Sequence, residues 1–211
     1  MSIKRAGFTL IELLVVIAII AILAVVVILT LNPAQLLAQA RDSNRVSDMA
    51  TLKTAISLFE VDSPGMALGT IGTCYVTLPS GVFWTPDQTG AWGATTTCGA
   101  WFASAGLITA TSATSTAIDG SGWIPINFSG ISSGAPFGVE PIDPINTQGT
   151  GAAQSTGAYF YGFIPAGAAK TFKLSAIMES VKYQNGGAGD VESTDGGNNN
   201  YIFEGGTDVG L

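Results

Sequence analysis

The chain has 211 residues, of which 15 are acidic and only 8 are basic, and it contains no histidine. A formal charge of −7 argues against a nucleic-acid-binding surface as the main design, because such surfaces collect lysine and arginine. Without histidine there is no Ser–His or Cys–His pair for nucleophilic catalysis, and no phosphate-binding glycine loop is present. We therefore expect one domain on an anchor, and not an enzyme.

The first thirty residues combine a short basic leader with a long apolar run. Lys4 and Arg5 precede Gly7, and every residue from Leu13 to Leu29 is apolar. The span 8–31 would form a helix about 36 Å long, against a bilayer core of roughly 30 Å. An ordinary signal peptide has a shorter apolar region and a clean cleavage site after it. The pattern therefore predicts a membrane helix with a cytoplasmic leader and an exported body.

A plain membrane anchor would not need Glu12, which lies four residues after Phe8. The leader ending in Gly7, followed by Phe8-Thr9-Leu10-Ile11-Glu12 and the unbroken apolar run, resembles the amino terminus of type IV pilins and pseudopilins. In that family a prepilin peptidase of the membrane cleaves after the glycine, here Gly7, and methylates the new amino terminus, here Phe8. The resemblance implies that Glu12 acts in assembly, pairing with the amino terminus of a neighbouring subunit in a helical filament.

The resemblance also implies the partners and the location of the protein. The precursor would lie in the inner (cytoplasmic) membrane with its body outside the cytoplasm. It would then meet an inner-membrane assembly platform and other copies of itself or other pilins. The assembled form would be a pilus at the cell surface or a pseudopilus in the periplasm.

A second helix is predicted from about residue 33 to 61. Asn32 suits the N-cap and Pro33 suits the first helical position. An apolar stripe then recurs at helical spacing, formed by Val46, Met49, Leu52, Ile56 and Phe59. Charged residues fall largely off this stripe, namely Arg41, Asp42, Arg45, Asp48 and Lys53. Pro33 marks either a simple kink or a joint that bends when subunits assemble.

Short strands are predicted in the rest of the chain. Residues 171–178 alternate between apolar and polar side chains, which is the clearest strand pattern. Other expected strands are Trp123–Asn127 at an edge, Tyr159–Phe163 and Tyr201–Phe203. The fold class is therefore α+β: a long N-terminal helix, with a membrane-embedded first half and an amphipathic second half, packed on a small antiparallel sheet with long loops. The expected regions are a leader (1–7), a membrane helix (8–31), an amphipathic helix (32–62) and a globular domain (63–211).

Cys74 and Cys98 are the only cysteines. In an exported body without histidine they are predicted to form a disulfide, with two free buried thiols as the alternative. The closed loop would stabilise the fold by roughly 3 kcal/mol. Type IV pilins often carry a disulfide near the carboxyl terminus, whereas this pair lies early in the body, so the family's pairing cannot be transferred.

One candidate metal site lies in a glycine-rich loop. Asp190, Glu192, Asp195 and Asn198 offer oxygen ligands at short spacing, which is the ligand type that Ca²⁺ takes. The resemblance adds that major pseudopilins carry a calcium loop after a comparable strand. The alternative is a solvated acidic turn. No other cofactor is expected.

Two classes of function stay open, with a third in reserve. The first is a structural subunit of a type IV pilus-like extracellular filament for adhesion, motility or DNA uptake, favoured by the length of the body. The second is a pseudopilin of a type II secretion system, favoured by the acidic loop and by the absence of a carboxyl-terminal disulfide. The third is a minor pilin acting as an adhesin at a filament tip.

Overall fold

The computed structural model describes residues 7–78, 83–86, 92–95, 109–149, 158–166 and 170–209. The chain divides into two compact units, Met1–Leu37 and Ala38–Leu211. Two helices and several short strands make up the described secondary structure, and the α+β class predicted from the sequence is confirmed.

Helix α1 (Leu10–Leu31) is apolar along almost its whole length. The stretch Leu10–Ile28 is long and apolar enough to cross a membrane, and none of it is buried within the chain. Even Val16, the least exposed of the large apolar side chains described in α1, is 44 % exposed. A helix that is apolar on every side and unburied in its own subunit needs lipid or other helices around it.

Asn32 separates α1 from helix α2 (Pro33–Asp62). It ends α1 in the left-handed conformation, with a φ of 40°. Its side-chain Oδ1 accepts a hydrogen bond from the Gln35 amide at 3.4 Å, and its carbonyl accepts from the same amide at 3.0 Å. The prediction that Asn32 caps a helix beginning at Pro33 is thereby confirmed.

The apolar stripe of α2 supplies one wall of the main core. Four of its predicted members are buried and Val46 is partly buried against them. Opposite them lie buried aromatic and aliphatic side chains from the sheet, and together they form one cluster. The cluster includes Met49, Leu52, Ala55, Ile56 and Phe59 from the helix, and Tyr161, Phe163, Phe172 and Leu174 from the strands.

The sheet that faces α2 has five strands. In spatial order they are β4 (Thr109–Ser112), β1 (Thr73–Val76), β7 (Tyr161–Ala166), β8 (Thr171–Ala176) and β9 (Phe203–Gly206). The pairs β1–β7, β7–β8 and β8–β9 are antiparallel, as predicted, whereas β1 and β4 run parallel. Two smaller two-stranded pairings join β2 (Phe83–Pro86) to β3 (Trp92–Thr95), and β5 (Thr147–Gln148) to β6 (Ala158–Tyr159).

The strand predictions differ from the structure at four places. Tyr159–Phe163 is divided at Phe160 between β6 and β7, and the strand expected over 171–178 ends at Ala176. Trp123–Asn127 is not a strand: it is an irregular segment in which only Asn127 makes an isolated bridge, to Asp119. Its apolar side chains are nevertheless buried in the main core, and burial is what made the segment resemble a strand. The last strand begins at Phe203, where the predicted strand Tyr201–Phe203 ends.

The opposite face of the sheet carries a second apolar cluster, which contains Val76, Ile164 and Ile177. Both faces of the sheet are therefore covered. The polar positions Lys173 and Ser175 of β8, which alternate with the core residues, are also fully buried, and Asn198 and Glu204 contact the Lys173 ammonium group. Alternation of apolar and polar residues along a strand therefore does not by itself show that one face of the sheet is exposed to water.

Candidate functional site

The predicted cleavage point lies in a short non-helical stretch directly before α1. Gly7, Phe8 and Thr9 have no regular secondary structure, and the Phe8 side chain is 77 % exposed. A Cβ added at Gly7 would meet no described atom within 4 Å, and the residue does not adopt a positive φ. Among the described residues, neither the backbone conformation nor packing therefore requires glycine at this position.

Glu12 closes a capping box at the start of α1. Its carboxylate oxygen Oε2 accepts hydrogen bonds from the Thr9 backbone amide at 2.8 Å and from the Thr9 hydroxyl at 2.7 Å. In return, the Glu12 amide donates to the Thr9 hydroxyl oxygen at 3.3 Å. These bonds satisfy two of the amides that the first turn of a helix leaves without partners. Within the isolated subunit, the carboxylate is held by Thr9.

Apolar side chains surround the Glu12 carboxylate on the helix surface. They come from one turn on either side and share a shallow depression, which is lined by Phe8, Ile11, Val15 and Val16. A carboxylate in such surroundings is poorly solvated once lipid or another helix covers it, so it then needs a positive partner. No lysine or arginine lies between Arg5 and Arg41.

A buried ionic cluster ties α2 to the body. Arg45 donates from Nε to Asp143 at 2.7 Å, from Nη2 to the other Asp143 oxygen at 3.0 Å, and from Nη1 to Asp42 at 2.7 Å. All three side chains are fully buried. Burial alone would lower the pKa of Arg45, but the hydrogen bonds and charges of Asp143 and Asp42 outweigh it and raise the pKa. The guanidinium also lies over the Tyr159 ring, 4.9 Å from its centre.

The same cluster fixes two loops to the helix. Asp42 accepts backbone hydrogen bonds from Glu179 and Ser180 at 2.9 and 2.8 Å. Asp143 accepts from the amides of Ile145 and Asn146 at 2.8 and 3.1 Å, which folds the turn before β5. Each carboxylate therefore pairs with Arg45 and organises a loop at the same time.

Sequence reasoning missed this cluster, because it separates Asp42 and Arg45 from the apolar stripe of α2. Both are instead buried with that stripe. Their spacing of three residues, which lets opposite charges meet on a helix, is a signal that was present in the sequence. Their third partner, Asp143, lies 98 residues further along the chain than Arg45, and no local pattern points to it.

The acidic loop uses its carboxylates to hold its own backbone. Asp190 accepts from the amides of Gly186, Glu192 and Ser193 at 2.8 to 3.0 Å and from the Ser193 hydroxyl at 2.5 Å. Burial alone would raise the pKa of Asp190, but the Ser193 hydrogen bonds outweigh it and lower the pKa.

The other two carboxylates of the loop make separate turns. Glu192 is buried and accepts from the amides of Met178 and Asn185, both at 3.0 Å. Its burial raises its pKa to about 8. Asp195 accepts from the amides of Gly197 and Glu204 at 2.8 and 2.5 Å, and burial raises its pKa to about 6.

These contacts do not fit a shared calcium site. Calcium needs six to eight oxygens converging at about 2.3–2.6 Å, whereas the three carboxylates bind different backbone amides. The Asn198 side-chain oxygen accepts a hydrogen bond from the ammonium group of Lys173 at 2.9 Å, which is an unfavourable neighbour for a metal ligand. Among the residues that the structure describes, no group of three or more His, Cys, Asp or Glu could hold a metal ion. The geometry thus gives no support to the calcium prediction at Asp190, Glu192, Asp195 and Asn198.

Of the two cysteines, only one falls in the described part of the chain. Cys74 lies on β1 and is fully buried in the second apolar cluster. Cys98 lies outside the described residues, so the pairing of Cys74 with Cys98 stays a prediction.

Comparison with known families gives one match, at the amino terminus. Residues 3–28 match the family described as Prokaryotic N-terminal methylation motif. The chain therefore carries a prepilin-type motif of the kind found in type IV pilins and pseudopilins. The matched segment includes Gly7, Phe8, Thr9 and Glu12 and most of α1. Neither the comparison with curated proteins nor the comparison with solved structures found a match.

Proposed function

We propose that this protein is a structural subunit of a type IV pilus-like extracellular filament that serves adhesion, motility or DNA uptake. It is made as a membrane-anchored precursor, cleaved after Gly7 by a prepilin peptidase and methylated on the new amino terminus of Phe8. The observation that carries the proposal is the prepilin-type motif on a helix whose apolar surface is wholly unburied in its own subunit.

The surface of α1 supports a role in assembly. Before assembly the bilayer covers it, because Leu10–Ile28 has the length and composition of a membrane span. After extraction from the membrane, the same surface needs other apolar helices, and further copies of the chain or other pilins supply them. An inner-membrane assembly platform is the partner that would pass subunits from one environment to the other.

Glu12 and the processed amino terminus form a complementary pair for this step. Cleavage leaves a positive amino group on Phe8, at the entrance of a helix packed among apolar neighbours. A carboxylate from an adjacent subunit neutralises it, and leaving either charge alone in such surroundings costs about 3–5 kcal/mol. Glu12 would exchange its contact with Thr9 for this partner when the subunit docks.

The alternatives are a pseudopilin of a type II secretion system and a minor pilin acting as a tip adhesin. The acidic loop favoured a pseudopilin because of its supposed calcium site. Its carboxylates instead bind backbone amides, which weakens one of the two reasons for that choice and leaves the absence of a carboxyl-terminal disulfide as the other. The length of the body favours a filament subunit.

The proposal is tested by processing and assembly in a host that supplies a prepilin peptidase and an assembly system. Gly7→Val should leave an unprocessed precursor in the membrane and no fibres in electron micrographs of sheared surface material. Gly138→Val is a matched control, because Gly138 is exposed, has open space around it and lies outside the motif. It should be processed and assembled normally. Processing of the protein without any surface fibres would favour the pseudopilin alternative.

A further inference from the structure

Lys173 is the most deeply enclosed cation of the sheet. It lies on β8, is fully buried, and pairs across the sheet with Ile164 on one side and Gly206 on the other. Its Nζ atom contacts the carboxylate oxygen Oε1 of Glu204, whose side chain is also fully buried. The same Nζ donates a hydrogen bond to the side-chain carbonyl oxygen of Asn198 at 2.9 Å.

The environment favours the neutral forms of the amine and the acid. Burial lowers the pKa of Lys173, although the hydrogen bond and charge of Glu204 partly oppose this shift. Burial raises the pKa of Glu204, against the opposing effect of Lys173. Transfer of a proton from Lys173 to Glu204 gives an uncharged pair, which a poorly solvated site tolerates better than two ions.

Glu204 is held rigidly beside the other two groups. Its Oε2 accepts from the Asn199 amide at 3.0 Å, and its own amide donates to Asp195 at 2.5 Å. Gly197 packs directly on the Glu204 carboxylate, and a Cβ there would overlap Oε2. Apart from Lys173, no described group donates a hydrogen bond to Oε1.

We propose that Lys173 and Asn198 form an intramolecular isopeptide bond, with Glu204 moving the proton. Glu204 first takes a proton from the Lys173 ammonium group. The free amine then attacks the side-chain carbonyl carbon of Asn198, and Glu204 donates its proton to the carbonyl oxygen as the carbon–nitrogen bond forms. When the tetrahedral intermediate collapses, the bond from its carbon to the original amide nitrogen of Asn198 breaks, and that nitrogen leaves as ammonia with a proton taken from the former amine through Glu204. The hydroxyl proton of the intermediate returns to Glu204 as the carbonyl group re-forms. The products are a secondary amide, ammonia and a protonated Glu204, and no oxidant or other reactant is needed.

The distances suit this reaction. Because Oδ1 is bonded to the carbon under attack, that carbon lies within about 4 Å of the Lys173 Nζ. Reactive contacts have separations of about 3–3.5 Å, so a small adjustment of one side chain suffices. The bond would join the loop before β9 to strand β8, locking the edge of the sheet covalently. A subunit of a fibre under tension would gain resistance to unfolding from such a bond, although the inference does not depend on the proposed function.

Peptide mass spectrometry of the full chain, purified from membranes, tests the proposal. Trypsin cuts after Lys170 and Lys182 but not at a modified Lys173. The expected product is peptide 171–182 joined to the peptide that begins at Tyr183, about 17 Da below the sum of the two because ammonia is lost. Cleavage at Lys173, with an intact Asn198 peptide, would overturn the proposal and leave a non-covalent ion pair.

Variants separate this bond from other reactions of asparagine. In Lys173→Met the ammonia loss should disappear; if it persists, the loss reflects a cyclic imide at Asn198 and the proposal is wrong. Glu204→Gln should abolish the linked peptide. Glu204→Asp keeps a carboxyl group and should show a reduced fraction of linked peptide. It serves as the test of Glu204 if Glu204→Gln fails to fold. Linking in Glu204→Gln at the wild-type level would contradict the role given to Glu204.

Discussion

Thr9 and Glu12 form reciprocal hydrogen bonds at the N-terminus of α1. The Glu12 carboxylate accepts hydrogen bonds from the amide and the hydroxyl of Thr9, at 2.8 and 2.7 Å, and the Glu12 backbone amide donates to the Thr9 hydroxyl oxygen. Glu12 therefore has two separable properties, a hydrogen-bonding shape that caps the helix and a negative charge. Glutamine has the same shape without the charge, and it is an accepted member of capping boxes.

Glu12→Gln distinguishes the two properties. If the charge pairs with the amino terminus of a neighbouring subunit, the variant should be processed and stable in the membrane but should yield at least tenfold fewer fibres. That loss corresponds to about 1.4 kcal/mol or more of docking free energy. Quantitative immunoblots of the sheared surface fraction and the membrane fraction measure it.

Thr9→Val is the matched control, because it removes the hydroxyl side of the capping box and leaves the charge of Glu12. It should assemble nearly as well as the wild type. Wild-type fibre yield in Glu12→Gln, or an equal loss in Thr9→Val, would mean that Glu12 acts only as a helix cap.

The ionic cluster around Arg45 predicts a large loss of stability on substitution. Arg45→Met keeps most of the side-chain volume but leaves Asp42 and Asp143 buried without their cation. We expect the free energy of unfolding to fall by about 3–5 kcal/mol. Urea denaturation of the full chain in detergent, followed by tryptophan fluorescence, measures the change.

Arg41→Met serves as the comparison for Arg45→Met. Arg41 pairs with Glu179 but is 32 % exposed, so its removal should cost no more than about 1 kcal/mol. Equal effects of the two substitutions would contradict the assignment of the buried cluster as the tie between α2 and the body.

Because Glu192 is buried, we expect the free energy of unfolding to fall as the pH rises. Burial raises its pKa from an ordinary value of 4.5 to about 8, so the folded state keeps a proton that the unfolded state releases above about pH 4.5. Its contribution to the unfolding free energy is therefore full below that pH and is lost as the pH rises towards 8. Between pH 5 and pH 8.5 the free energy of unfolding should fall less in Glu192→Gln than in the wild type, and the difference should be about 2–4 kcal/mol.

Thermal melts at the two pH values, in the same detergent, give the Glu192→Gln comparison. Asp190→Asn is the control from the same loop. Hydrogen bonds lower the pKa of Asp190, so this carboxylate contributes no loss of stability as the pH rises, and the variant should keep the pH dependence of the wild type. Identical pH dependence in wild type and Glu192→Gln would show that Glu192 is ionised in the folded state.

Cys74 and Cys98 are predicted to be oxidised to each other. Alkylation of the denatured, unreduced chain should label neither thiol, whereas prior reduction should expose both. Cys74→Ser should lower the unfolding free energy by about 2–4 kcal/mol, since the closed loop no longer restricts the unfolded chain. Labelling of either cysteine without reduction would refute the pairing.

The parts of the molecule that depend on local pattern could be predicted from the sequence. Asn32 and Pro33 mark the start of α2, and the stripe from Met49 to Phe59 marks its buried face, because capping and periodicity are properties of neighbouring residues. The prepilin-type motif is local in the same way.

The misplaced residues depend on partners that are distant in the chain. Arg45 is buried against Asp143, 98 residues further along the chain, and Lys173 is buried against Asn198 and Glu204. An isolated charge avoids the interior, so a sequence pattern assigns it to the surface until its partner is known.

The amino-terminal residue of the chain in purified surface fibres tests the central claim most directly. Fibres sheared from cells should contain this protein, and mass spectrometry should find a terminal peptide that begins with N-methylated Phe8. A chain that begins at Met1, or one recovered only from the membrane of cells that carry no fibres, would contradict the assignment as a processed filament subunit.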